Sequence, residues 1–245
     1  MLTLADRWIQ QRFAHAVAEF EAHIAAYRFD LATKALYDFT WYEFCDWYLE
    51  LAKPTLNDPA SSDAAKRGTR HTLITTLEQL LRALHPLMPF ITEEIWQRVA
   101  PRAGIAAESI MRQPYPAAAP EAMQPAIEAE VRWVMDFILG VRRIRGELDI
   151  APSLQLSPRL QGASAPELER YGRHLGAIRR LAGIADALPL AAGEAPPQAA
   201  AAPACVGVRL VIVPVVVLRA PGADVSGCDL LRHQTPGPTP GKSCG

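Results

Sequence analysis

The stretch FTWYEFCDWYLELAKP, Phe39 to Pro54, packs six aromatic rings, one cysteine and three carboxylates into sixteen positions. Tyr37, Trp41, Phe44, Tyr48 and Leu51 step by four, three, four and three, the spacing of one helix face. Asp38, Glu43, Asp46 and Glu50 fall off that stripe, and Trp47 stands at its margin. A helix with a core face and a polar rim is predicted, with Trp41 in the core and Pro54 stopping the run.

Upstream, Thr3 followed by Asp6 has the pattern of a helix N-terminus. Phe13, Val17, Phe20, Ile24 and Tyr27 then form an apolar stripe. Asp30 is a candidate N-cap for the helix that leads into the aromatic run, with Phe29 just outside it. Downstream, a polar loop, NDPASSDAAKRGT, precedes a third helix on Leu73, Leu77, Leu80 and Leu84. Pro86 and Pro89 break that run, and Thr92 is a candidate cap for a short fourth helix ended by Pro101. Four helices with short connections predict an antiparallel bundle over residues 1–118.

The second part, residues 119–213, opens on a long helix with Ile127, Val131, Val134, Ile138, Val141 and Leu148 along one seam. Arg145 interrupts that seam, and Asp149, one turn on, is a candidate partner. SLQLSPRLQG alternates like a strand, with Pro158 restricting it to an edge or a bulge. A helix over 166–182 and a buried-type strand in VGVRLVIVP complete a small mixed α/β module, with GEAPPQAAAAPA as a low-complexity loop between them. Residues 214–245 end in HQTPGPTPGKSCG, a composition that supports no packed element, so an irregular or disordered tail is expected. The predicted fold is therefore mainly α: a helical bundle, a small α/β module and a tail.

The net charge is −1 over 245 residues, which excludes a global basic field. Its distribution is uneven. Residues 1–50 carry four basic against eight acidic side chains, and residues 131–185 carry nine arginines against five carboxylates. A polyanion would be held more readily by the second part. Cys45, Cys205, Cys228 and Cys244 have no metal-site spacing, and Cys45 reads as a buried thiol. No signal-peptide pattern and no apolar run of membrane-spanning length occurs, so a cytoplasmic protein is expected.

Enzyme motifs are missing: no Gly-rich phosphate loop, no GxSxG, no HExxH. His71 and His85 stand isolated, and Glu93 and Glu94 are adjacent and point to different sides of a helix. No metal or cofactor is expected in this chain. A bundle with aromatics at its margins beside an arginine-rich helix suits RNA, in which unpaired bases stack on rings and arginines hold phosphates. An ordinary solvated face is the alternative at this point.

RFDLATKALYDFTWYEFCDWYLELAKP, with LADRWI before it and RGTRHTL and LLRALHPLMPFITEEIWQ after it, resembles the anticodon-binding domain of the bacterial valyl-tRNA synthetase family. Other large class I synthetases have a version of HPLMPFITEEIW, while the CDWYLE block is similar to the valyl branch. VRRIRGELDIAP and GVRLVIVP resemble the family's following segments. The likeness covers roughly residues 3–213.

That resemblance implies a C-terminal portion that recognises the anticodon of tRNA(Val) and supports ATP- and Mg2+-dependent valine ligation carried out elsewhere. The family's HIGH, KMSKS and editing regions have no counterpart here, so the chain alone is expected to be inactive, a monomer, and bound to neither DNA nor membrane. The resemblance places anticodon contacts on the first two helices. Phe29 matches a family aromatic at their junction, where a ring either stacks on a base or packs beside Asp30. Gln10 and Gln11 fall where the family's first helix faces RNA. Glu43, Asp46 and Trp47 belong to the recognisable block, as base-reading or as structural groups. Arg142 and Arg143 are candidate contacts to the RNA backbone. A helical scaffold without RNA binding is the alternative function.

Overall fold

Thr3 starts the first helix, α1 (Leu4–Ala25), as the sequence predicts: its hydroxyl accepts from the Asp6 amide at 3.1 Å, and the Asp6 carboxylate accepts from the Thr3 amide at 2.9 Å. The computed structural model describes residues 1–117, 124–151, 153–161, 163–185, 187–189, 204–205 and 208–211, all within one compact unit, Met1–Pro214. The expected tail, 214–245, and nearly all of the GEAPPQAAAAPA loop lie outside the described residues.

A three-residue corner joins α1 to α2 (Phe29–Asp38), and Arg12 meets Glu43 across the pair, so the two helices run antiparallel. The chain then continues without a break through a π-helical segment, Phe39–Tyr48, into α3 (Leu49–Asn57). Here the structure corrects the predicted stripe. Buried positions fall at Ala32, Leu36, Phe39, Phe44, Tyr48 and Ala52, and the step of five between Phe39 and Phe44 is the wider π turn. Each π residue turns the chain less than an α residue does, so Trp41 rotates outward and is 54% exposed, not in the core. Pro54 does not stop the run either. The helix continues three residues past it and closes where the Asp58 amide donates to the Pro54 carbonyl at 3.0 Å.

Ser62 caps α4 (Asp63–Leu84), its hydroxyl accepting from the Ala65 amide. α5 (Pro89–Val99) begins at a proline, where a missing amide costs nothing, and not at Thr92. Thr92 is buried inside α5 and donates to the Met88 carbonyl at 2.7 Å. Rings and aliphatic chains of α1, α2, the π segment and α4 make the main core; Leu81, Trp96, Val99 and Ile110 make a smaller one against α5.

α6 (Pro125–Glu147) buries Ile127 and Val131 in the bundle and Val134, Ile138, Val141 and Ile144 in a second core shared with α7 (Ala165–Ala182). β1 (Arg159–Gln161), α7 and β2 (Leu188–Pro189) form a parallel crossover, and β3 (Ala204–Cys205) with β4 (Val208–Val211) completes the order β2-β1-β4-β3. β1 is an inner strand. Pro158 stands just before it, where no ladder donor is needed, so the expected edge or bulge is replaced by a shorter strand. Arg145 also departs from expectation. Its guanidinium donates to the carbonyls of Ala151, Leu154 and Gly183, each at 2.9 Å, and not to Asp149. It ties the end of α6 to the C-terminus of α7, where carbonyls await donors.

Candidate nucleic-acid interface

The α1–α2 corner is built by an unusual residue. Tyr27 has φ +55°, the left-handed region that a bulky side chain rarely adopts. The amides of Tyr27 and Arg28 close the end of α1 on the carbonyls of Ile24 (3.0 Å) and His23 (2.8 Å). This geometry throws the Tyr27 ring outward, 81% exposed, and sets it edge-on to Phe29 with centroids 6.4 Å apart. Phe29 is 59% exposed, so it does not simply pack beside Asp30.

Asp30 is not the N-cap. Arg28 holds that place, and its guanidinium grips the Asp30 carboxylate with bonds of 3.0 and 2.8 Å. That grip pulls the Asp30 carboxyl down to about 2, so the pair stays ionised beside the two rings.

From Phe29 the exposed face of the rod runs through Thr33, Tyr37 and Trp41 at intervals of four. Tyr42 flanks this strip and meets Tyr37 edge-on at 6.2 Å. The result is a ladder of rings along an exposed strip of α2 and the π segment, beside the buried line of Ala32 and Leu36. Sequence periodicity missed Tyr27, Tyr37 and Trp41 as surface groups because it assigned all three to apolar stripes. For Tyr37 and Trp41 the signal that would have found them is the five-residue step of rings from Phe39 to Phe44; Tyr27 has no such signal.

The other predicted residues fall elsewhere. Gln10 is exposed on α1, whereas Gln11 is buried, its side-chain oxygen accepting from the Gln124 amide at 2.5 Å. Glu43 is clasped by Arg12 through two bonds of 2.8 Å, beside a cleft of about 220 Å³ between α1 and α6. Asp46 is exposed, and Trp47 is half-buried against both large cores. Arg142 lies over the Trp47 ring at 5.7 Å and donates to the Leu181 carbonyl; Arg143 pairs with Glu147 at 2.8 Å. Fourteen residues of helix separate Phe29 from Glu43, on the order of 20 Å. Phe29 is therefore not brought together with Glu43, Asp46 and Trp47. Cys45 is half-buried, and burial pushes its thiol above the usual range.

The family described as the anticodon-binding domain of tRNA ligase matches residues 6–160, which span α1 through to β1. The chain belongs to that family. It is also 46% identical over 213 residues to the Valine--tRNA ligase of two strains of Stenotrophomonas maltophilia, R551-3 and K279a. Those residues are 86% of this chain and 22% of each relative, so the chain spans about a fifth of their length.

The rings of Tyr27 and Phe29 project into solvent at the corner, a geometry that leaves their faces open to stacking. Among the described residues no group of three or more His, Cys, Asp or Glu side chains is placed to hold a metal ion, and no helix is long and apolar enough to cross a membrane.

Proposed function

We propose that the chain binds the anticodon arm of a tRNA, tRNA(Val) by its similarity to valine ligases, and that its own contribution is recognition. On this reading the chemistry of valine ligation, with its ATP and Mg2+, belongs to other parts of the relatives' longer chains. The protein acts in the cytoplasm as a monomer. What supports the reading is the family match together with one observation: Tyr27 is held in a left-handed conformation that presents its ring beside Phe29. Phe29 and Tyr27 stack on anticodon-loop bases, the ring strip from Tyr37 to Trp41 extends that platform, and Gln10 and Asp46 supply exposed polar groups.

The test is equilibrium binding of the full chain to two RNA hairpins at one fixed salt concentration. One carries a valine anticodon, and the other has its central and third anticodon bases exchanged. A preference for the valine hairpin, with Phe29→Ala weakening binding about tenfold, is the expected result. Equal, salt-sensitive binding to both hairpins, unchanged by Phe29→Ala, would reduce the surface to charge attraction.

A scaffold role draws on a different feature, the apolar corner between α4 and α5, where Phe90 is 90% exposed beside Met88 and Ile91. Absence of any RNA binding by a folded chain would favour that alternative.

A further inference from the structure

Two apolar lines overlap on the rod that runs from α2 through the π segment into α3. Tyr37, Trp41, Phe44, Tyr48 and Leu51 follow the spacing of an α-helix. Leu36, Phe39, Phe44, Tyr48 and Ala52 are the residues that the structure buries. The lines share Phe44 and Tyr48 and part upstream of them. Phe39 and Phe44 are five apart, an interval that at ~3.6 residues per turn sets two side chains about 140° from each other. The wider π ladder closes that angle, and the two rings lie 6.4 Å apart.

The contest between the lines is decided against α1. Phe39 seats its ring on Phe13, with centroids 5.4 Å apart, and is 1% exposed. An entirely α-helical rod phased on Phe44 and Tyr48 would bring Tyr37 and Trp41 to that side and turn Phe39 away. Phe39 thus holds the place that α spacing assigns to Trp41. Polar groups brace the turn that results. Thr40 donates to the Leu36 carbonyl at 2.6 Å where the ladder widens, and Arg12 grips Glu43 through two bonds of 2.8 Å. On the outer side Tyr37 and Tyr42 are also five apart and meet edge-on, a contact that the angle of an α-helix would break. Most π-helices are a single turn and many stand at functional sites, so ten residues of one beneath a strip of exposed rings call for a use.

We propose that Phe39 is a positioning residue for RNA recognition: by packing on Phe13 it fixes the π register that holds Tyr37, Trp41 and Tyr42 outside. Phe39 is buried and touches no RNA itself. The proposal rests on the anticodon reading and adds to it the residue that makes the ring strip available.

The experiment measures exposure of Trp41 and affinity for the valine anticodon hairpin on the same full-length variants. Trp8, Trp96 and Trp133 are buried and Trp47 is half-buried, whereas Trp41 is 54% exposed. Acrylamide quenching of the fluorescence, with Trp41→Phe as reference, therefore reports on Trp41. Phe39→Ala opens a cavity that Trp41 can fill. Its quenching should fall, and hairpin binding should weaken about fivefold, the loss of one stacked ring. Phe39→Leu keeps the place filled and should leave both near wild type. Tyr37→Lys added to Phe39→Ala should restore the quenching, because an α register would bury the new charge. Phe39→Val makes the same comparison where the alanine variant does not fold. A lower thermal midpoint with Trp41 quenching unchanged would make Phe39 ordinary core and overturn the proposal. Reduced quenching with unchanged hairpin affinity would overturn it too, since RNA would then not use the strip. Phe29→Ala lies outside the π segment and serves as the control. Weaker binding in Phe29→Ala alone would leave the anticodon reading standing without the positioning role, and no hairpin binding by the wild type would overturn both.

Discussion

The Tyr48 hydroxyl donates a 2.9 Å hydrogen bond to the fully buried carboxylate of Asp6. The Thr69 hydroxyl and the Thr3 amide, each at 2.9 Å, complete its coordination by uncharged donors. Three elements therefore meet on one carboxylate: the start of α1, the end of the π segment and α4. Its place in the first turn of α1 lets the helix dipole favour the charge. Tyr48→Phe removes one donor to a buried ion and should cost about 1.5–3 kcal/mol, read from urea unfolding.

The same contact predicts a pH dependence. Burial, reinforced by the Asp6 charge, pushes the Tyr48 phenol well above its ordinary value of 10.0, and burial does the same to Tyr115. Above about pH 10 the unfolded phenols release protons that the folded ones keep, so the unfolded state binds fewer protons and stability falls as pH rises. Each phenol contributes a slope of at most about 1.4 kcal/mol per pH unit. Unfolding free energies measured between about pH 9 and pH 11 should decline in the wild type and decline less in Tyr48→Phe. Parallel declines would remove Tyr48 as the cause.

Glu78 anchors the smaller core in a similar way, but with a cation. The Trp96 indole donates to one oxygen at 2.8 Å and Arg82 to the other at 2.9 Å, with both acid and indole buried. Glu78→Ala strands a guanidinium and an indole N–H together and should cost about 3–5 kcal/mol. Glu78→Gln retains an acceptor for Trp96 and should cost less. Equal losses would mean that the ion pair with Arg82, and neither the indole hydrogen bond nor side-chain volume, sets the stability there.

Most of the helical framework was legible because burial follows periodicity: Phe13, Val17 and Phe20 on α1 and Ile127 to Val141 on α6 are buried at their predicted phase. The π segment was not, because a 100° wheel has no place for a step of five, and Trp41 was sent to the wrong side. The Thr3–Asp6 capping box was legible since it needs only local spacing, whereas the partners of Arg145 are backbone carbonyls 6, 9 and 38 residues along the chain, which only the fold brings to it. Of the candidate interface, family likeness pointed to Phe29. Tyr27 escaped notice because nothing in its apolar spacing announces a left-handed backbone, and Gln11 was separated from Gln10 only by the helix turn that buries it.

The two open glycines of α7 give a prediction about stability that is independent of RNA. Gly172→Ala and Gly176→Ala each add a side chain into open space and remove backbone freedom from the unfolded chain. Each should stabilise the protein by about 0.5–1 kcal/mol in urea unfolding. A loss of stability in either would show that the helix surface there is packed against something.

Tyr27 separates the stability of the corner from its use. A non-glycine residue in the left-handed region costs about 1–2 kcal/mol, which Tyr27→Gly would recover. The edge-on contact with Phe29, about 0.5–1.5 kcal/mol, would be lost at the same time. The difference runs from a loss of about 0.5 to a gain of about 1.5 kcal/mol, so stability should stay level or rise. A ring that stacks on a base contributes about 1–3 kcal/mol, so affinity for the valine anticodon hairpin should fall about tenfold. The two effects point in opposite directions, which ordinary packing does not produce: a residue kept only to hold the corner would lose stability on truncation and leave affinity alone. Measuring the thermal midpoint and hairpin affinity of Tyr27→Gly on one preparation decides between them. A lower midpoint with unchanged affinity would return Tyr27 to the structural framework and leave Phe29 as the aromatic of the corner.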